Sequence, residues 1–392
     1  MSNQRSLGDR IRELRGAIYT QQALADRAGL SVVLIRKLEQ GARQTTSVAS
    51  LHKIARALDV TLADLLVPVS IPEHDQDQGV TALRHAVSLV GVPKDTPATL
   101  QEARFAEIDT WRMYWSGQHD VAMVKLPQQI RRLESGLAAS NETDRPVYLH
   151  SLSQVLWAAG RVLTLLRHPD AAYLATQRAI SLSAELGDPV MTAAATGSLA
   201  WQLIVAGRYA ESQDLSLSTA ASIEPGKNHT TSQMSVFGSL LLHAGNSHAR
   251  AGNAVSAKHY LDEAREIAAK VPDGLHSHNT IFGASWIAMQ HTDIAISLGE
   301  FGDALTASQT MPGGPSVLPL QTQCRHNTDR ALLYLKTGSA DRSIALLSSI
   351  SSAAPFWFRN QRLPKSVVGD LLHTPASKSP QLRTLARTLN VH

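Results

Sequence analysis

Apolar residues in the first 66 positions recur at the three- and four-residue spacing of helices. Leu7, Ile11, Leu14 and Ile18 mark one amphipathic helix, Leu24, Ala25 and Ala28 a short second one, and Ile35 and Leu38 the inner face of a third. Val48, Leu51, Ile54, Ala55 and Leu58 mark a fourth, and Leu62, Leu65 and Leu66 a fifth. The breaks between them carry matching turn chemistry. Gly29 takes a positive φ at little steric cost. Ser31 places a hydroxyl where the third helix has orphan amides, and Thr61 does the same for the fifth. Five short helices predict a compact bundle, and the pair joined at Gly29 has the arrangement that lays one helix in a DNA major groove.

The pattern then changes. Residues 68–79 hold Pro68 and Pro72, few apolar positions and alternating acids, and so predict an interdomain linker. From about Val80 to Leu389 the chain is rich in Ala and Leu at a period near 3.6, with no stretch that predicts a strand. A weak repeat is anchored at Gly117, Gly207, Gly252, Gly299 and Gly338, with a degenerate copy at His168. The spacings from His168 onward are 39, 45, 47 and 39 residues. A regular tetratricopeptide unit has about 34, so loops or helices must be longer here.

Composition sharpens this division. The chain has 392 residues, 43% of them apolar and 18% charged, enough for a large core and more than one domain. Residues 1–66 hold ten of the 37 Lys and Arg but six of the 33 Asp and Glu. All of the formal net charge of +4 therefore sits on the N-terminal bundle, where phosphate contact would use it. Cys324 is the one cysteine, so no intrachain disulfide forms, in keeping with a reducing cytoplasm. No signal segment and no run of about 18 apolar residues is present, so the expectation is a cytoplasmic chain without a membrane partner.

The string Leu7-Gly8-Asp9-Arg10-Ile11-Arg12-Glu13-Leu14-Arg15 is followed by Gln-x-x-Leu-Ala, Gly-Leu-Ser, Ile-x-x-x-Glu-x-Gly-x-Arg and Leu-x-x-Ile-Ala-x-Ala-Leu. Over residues 7–66 this resembles the phage-repressor (Cro-like, XRE) helix-turn-helix family. The turn Ala17-Ile18-Tyr19-Thr20 departs from it, lacking the usual Gly. The resemblance implies that Gln21 and Ser31 touch phosphates, that Arg43 and Thr46 contact the backbone, and that Val32, Val33, Arg36 and Lys37 face base edges. Valine has no hydrogen bond to give, so Val32 and Val33 are limited to thymine methyls, or to packing within the bundle. Arg36 and Lys37 carry the polar readout, with guanine O6 and N7 their natural targets. Arg15 and Glu39 match an ion pair of the family and are assigned to structure.

In the C-terminal region, Leu242 to Ala264 resembles a tetratricopeptide unit, and Ala200-Trp201 through Tyr209 repeats the scheme. Such superhelices present a concave groove lined by each unit's first helix. The resemblance implies that Asn246 bonds a ligand in that groove. Trp201 and Asp293 fall at the same offset from their glycines, and Arg325 and Asn327 lie on another first helix. For each of these, packing or solvation is the plainer alternative.

Catalytic and metal signatures are missing. Pro225-Gly226-Lys227 is an incomplete phosphate loop, no nucleophile–base pair stands out, and His276-Ser277-His278 has no cysteine or acid beside it. The expectation is an all-α protein with three parts: a five-helix DNA-binding domain at 1–67, a linker at 68–79 and a tetratricopeptide-like superhelix at 80–392. No cofactor, no metal and no enzymatic activity are expected. The combination is similar to the peptide-sensing regulators of Gram-positive bacteria. It implies a homodimer on an inverted-repeat DNA operator, with a peptide or small-molecule effector in the repeats. The alternative is a scaffold whose groove holds a protein partner.

Overall fold

The computed structural model describes residues 7–15, 19–43, 46–58, 62, 65, 76–88, 91, 95–312 and 317–391. Ile18, Thr61, Leu66 and linker residues 68–75 lie outside the described residues.

The N-terminal bundle contains α1 (Leu7–Arg15), α2 (Gln21–Ala28), α3 (Val32–Glu39) and α4 (Val48–Ala57). Leu62 and Leu65, expected on a fifth helix, are helical and join the same core. That core gathers Ile11, Leu24, Ala25, Ile35, Leu38, Leu51 and Ile54, all buried. Gly8 lets α1 come against the end of α3: a Cβ there would lie 1.8 Å from the Leu38 carbonyl oxygen. Gly29 ends α2 in the left-handed region, at φ 60°.

Helix α5 (Gln76–Val87) starts inside the segment read as linker, so residues 76–79 are helical. It buries Val80, Leu83, Ala86 and Val87 in the C-terminal core. The apolar period of this helix begins only at Val80, which is why its polar first turn resembles a linker.

Six helical hairpins follow: α6 (Leu100–Trp115) with α7 (His119–Ala139), α8 (Arg145–Leu165) with α9 (Pro169–Glu185), α10 (Pro189–Val205) with α11 (Tyr209–Ser222), α12 (Thr231–Arg250) with α13 (Ala254–Ala268), α14 (Ala284–Leu298) with α15 (Phe301–Gln309), and α16 (Leu320–Lys336) with α17 (Ala340–Ala353). Their turns are alike in atomic detail. Each has a left-handed residue: Gly117, Arg167, Gly207, Gly252, Gly299 and Gly338, with φ between 70° and 83°. The next residue donates its N–H to the carbonyl five positions back, as in Gln118 to Met113, Asn253 to His248 and Glu300 to Ala295, each 2.9 Å. This is the helix-ending bond of a Schellman motif. At the degenerate copy the position falls to Arg167, which is why no glycine marks it.

In the first five hairpins each second helix packs between its own first helix and the first helix of the next hairpin, while first helices also contact one another. Small residues allow this approach. Gly160 is one: a Cβ there would lie 2.3 Å from the Thr176 hydroxyl across the α8–α9 pair. The two longest spacings are explained by the 20-residue α12 and by an insertion before α14. The stack also bends back on itself. His119 Nε2 lies 2.9 Å from Gln321 Oε1, joining the first hairpin to the sixth across 202 residues. After α17, helices α18 (Pro355–Asn360), α19 (Arg362–Leu372) and α20 (Pro380–Thr388) pack over the end of the stack and bury Phe358, Val368 and Leu382.

The insertion corrects the expectation of a strand-free region. Strands β1 (Leu275–Ser277) and β2 (Thr280–Phe282) form a hairpin with Ser277 opposite Thr280. Its turn, His278 and Asn279 at φ 46° and 50°, is the two-residue type that matches strand twist. Strands of three residues are too short to show an alternating pattern. His276 and His278 thus sit on a strand and a turn, and not on the helix that the surrounding periodicity predicts. The tip reaches α8, where Asn279 Nδ2 donates to Gln154 Oε1 at 2.8 Å and Arg161 donates to the Asn279 carbonyl at 3.3 Å. No helix among the described residues is long and apolar enough to cross a membrane.

Candidate nucleic-acid interface

Helices α2 and α3 are each capped by a side chain. Thr20 Oγ1 accepts from Ala23 N at 3.1 Å, and Ser31 Oγ accepts from Leu34 N at 3.2 Å. Thr20 compensates for the departure seen in the preceding turn, and it makes Gln21 the first residue of α2.

Glu39, at the end of α3, organises the surroundings of Gln21. It is 3% exposed and takes a two-bond grip from Arg15, Nε to Oε1 at 2.8 Å and Nη2 to Oε2 at 3.1 Å. Gln21 Nε2 adds a bond to Oε2 at 2.7 Å. Burial opposes ionisation of this carboxyl, but the bonds from Arg15 and Gln21 outweigh it and keep its pKa below the ordinary range. Among the described residues, the second amide hydrogen of Gln21 takes no partner. Ser31 is exposed at the N-terminus of α3, where orphan amides and the helix dipole favour an anion.

The face of α3 is divided. Val32 packs partly against the bundle core, while Val33 is 51% exposed. The two valines expected at base edges therefore separate, one inward and one outward. Arg36 and Lys37 are exposed and make no ion pair among the described residues. Arg43 is exposed and Thr46 half-buried in the segment after α3. Ser31, Val33, Arg36, Lys37 and Arg43 are thus all exposed, on α3 or beyond its two ends.

Of the five residues predicted in the groove, Asn246 and Asp293 are buried, while Trp201, Arg325 and Asn327 are half-buried. Asn246 is 1% exposed: its Nδ2 donates to the Leu242 carbonyl and to Gln290 Oε1, and its Oδ1 accepts from Arg250 at 2.9 Å. Asp293 is buried between Arg250 at 2.8 Å and Arg325 at 3.1 Å. Burial opposes its charge, but these two guanidinium groups leave its pKa lowered. Arg325 also pairs with Asp329, whose carboxyl burial pushes up to about 6. Trp201 lies under the Arg250 guanidinium at 5.7 Å. Asn327 is half-buried and accepts from Arg330 at 3.3 Å. Trp201, Asn246, Asp293 and Arg325 thus belong to one network, and Asn327 stands apart from it.

Periodicity gave no sign of what covers that network. It is helix α4 of the N-terminal bundle, which packs against α14. His52 Nδ1 and the Tyr209 hydroxyl lie 2.7 Å apart and buried, and the two rings meet edge to face. Burial pushes His52 down to about 3, helped by the positive charge of Arg250. No motif pairs these two residues, because the contact joins positions 157 apart.

Residues 11–65 match the helix-turn-helix family profile, which places an XRE-type DNA-binding domain here. No curated protein matches the chain.

Proposed function

We propose that the chain is a transcription regulator that reads an inverted-repeat operator as a homodimer, under control of a peptide or small molecule bound by its helical array. The division into a reader at 1–67, a linker at 68–79 whose last four residues form the first turn of α5, and a tetratricopeptide-like array at 80–392 is part of this reading. One observation carries it: on a helix-turn-helix scaffold, Arg36 and Lys37 stand exposed without acidic partners, beside Val33. Cations held ready in this way suit guanine edges, and Val33 suits a thymine methyl. One such module reads few base pairs, so specificity calls for two half-sites about 34 Å apart on the duplex. Stacked first helices that change packing on binding a ligand would alter that separation, with a coupling of about 1–3 kcal/mol.

Selection from random DNA tests the reader. Enrichment of two inverted half-sites at one spacing is the expected result; single half-sites, or no enrichment, contradict the dimer.

A second reading, a scaffold for a protein partner, is favoured by one feature. On the first hairpin Phe105, Ile108 and Val124 are 64%, 66% and 75% exposed. Mass spectrometry of the protein purified from its own source separates the two readings. A co-purifying peptide or metabolite supports the regulator, and a stoichiometric protein supports the scaffold.

A further inference from the structure

The helix-turn-helix domain does not hang free of the array. Leu51 and Ile54 on α4, and Leu58 at its end, face the domain's own core, and His52 lies off that stripe. His52 is nevertheless only 6% exposed, and the Tyr209 contact shows that the array supplies its burial. Lys53, the next residue, passes 3.7 Å from where a Cβ on Gly252 would stand, at the α12–α13 turn. Below this contact a continuous chain crosses four first helices. Trp201 on α10 carries Arg250 of α12, Arg250 binds Asp293 of α14, and Asp293 binds Arg325 of α16. Meanwhile Val33, Arg36 and Lys37 stay exposed, so the docked domain keeps its reading face open.

We propose that the His52–Tyr209 contact is a dock that fixes the pose of the DNA reader on the array, so that the packing of the first helices sets the spacing at which two readers meet DNA. The proposal rests on the dimeric regulator reading given above. A dock that leaves the reading face open does not block DNA. Its effect is on geometry: a docked reader has one position, and an undocked one only the range its tether allows. Loss of the dock therefore leaves the affinity for one half-site intact and removes the preference for one spacing.

Two substitutions test this without touching a DNA contact. Tyr209→Phe removes the hydroxyl and keeps the ring, and His52→Phe removes the ring nitrogen from the other side. Binding is measured to one half-site, to the inverted repeat selected by the wild type, and to the same repeat with five base pairs inserted. That insertion turns one half-site about half a helical turn away. The wild type is expected to favour the selected spacing by at least about tenfold, a difference of about 1.4 kcal/mol. Both variants should lower that preference to about threefold or less, with half-site affinity unchanged. Full retention of the preference, or a parallel loss on the half-site, overturns the proposal.

Energy transfer between labels on α2 and α17 reads the dock without DNA. A narrow distance distribution is expected in the wild type and a broad one in both variants. A broad distribution in the wild type overturns the dock whatever the DNA result. A narrow one with no preference for any spacing overturns the dimeric reading instead, and the coupling with it.

Discussion

In the proposed reading, charge and exposure at single positions give the residues on and after α3 different tasks. Arg36 is exposed on α3 with no carboxylate beside it, and its fork matches O6 and N7 of one guanine. Arg36→Ala should cost about 1–3 kcal/mol and relax the preference at one base pair. Arg43 is exposed just after the helix, and in the proposed reading it meets phosphate. Arg43→Ala should weaken binding to all sequences about equally and lower the dependence of log K on log salt by about one. Titrations of both variants against the selected site and a scrambled duplex, over a range of salt, check the pair; an unchanged salt slope in Arg43→Ala would remove it from the phosphate contacts. The Arg15–Glu39 pair was legible in the sequence because its spacing follows a family pattern. The bond from Gln21 to Glu39 was not, since only the folded turn brings α2 onto the end of α3.

At the scale of elements, the repeat was visible through its glycines because the turn chemistry requires them. A left-handed residue at each turn costs an L-amino acid about 1–2 kcal/mol, and glycine nothing. The sixth-hairpin glycine, Gly338, has φ 80° and no heavy atom within 4 Å of a Cβ placed there. Gly338→Ala should therefore cost about 1 kcal/mol through the backbone alone. Gly302 is equally open but lies inside α15 with ordinary helical φ, so Gly302→Ala should gain up to about 1 kcal/mol. Denaturant melts of the two variants should move to opposite sides of the wild type; a shift in the same direction would count against the turn account. The β1–β2 hairpin was hidden because its six strand residues carry no usable period. The degenerate turn was half hidden, because Arg167 takes a conformation its residue type does not advertise.

At the scale of the molecule, the decisive contacts join residues far apart in the chain, which no local pattern encodes. His119 and Gln321 close the stack, and His52 and Tyr209 join the reader to it. Both contacts bury an imidazole, so both give acid sensitivity of known sign. Burial lowers His119 from 6.5 to about 4, and its bond to Gln321 offsets only part of that. A histidine depressed on folding leaves stability complete above about 6.5. Stability is then lost as pH falls toward the folded value, by up to about 1.4 kcal/mol per pH unit. For the dock the window reaches lower, since His52 is pushed down to about 3. The groups that bear on this contact are Tyr209, Arg250, Asp293 and, through Tyr209, Arg56. Arg250 opposes a second positive charge, and Asp293 favours it less strongly, being already held by Arg250 and Arg325. Between pH 6.5 and 5.5 the docking constant should therefore fall, by up to about fivefold. The label distances on α2 and α17 would broaden over that interval in the wild type. In His52→Phe, already undocked and with nothing to titrate there, they would not change. Broadening of the same size in both proteins would place the titrating group elsewhere.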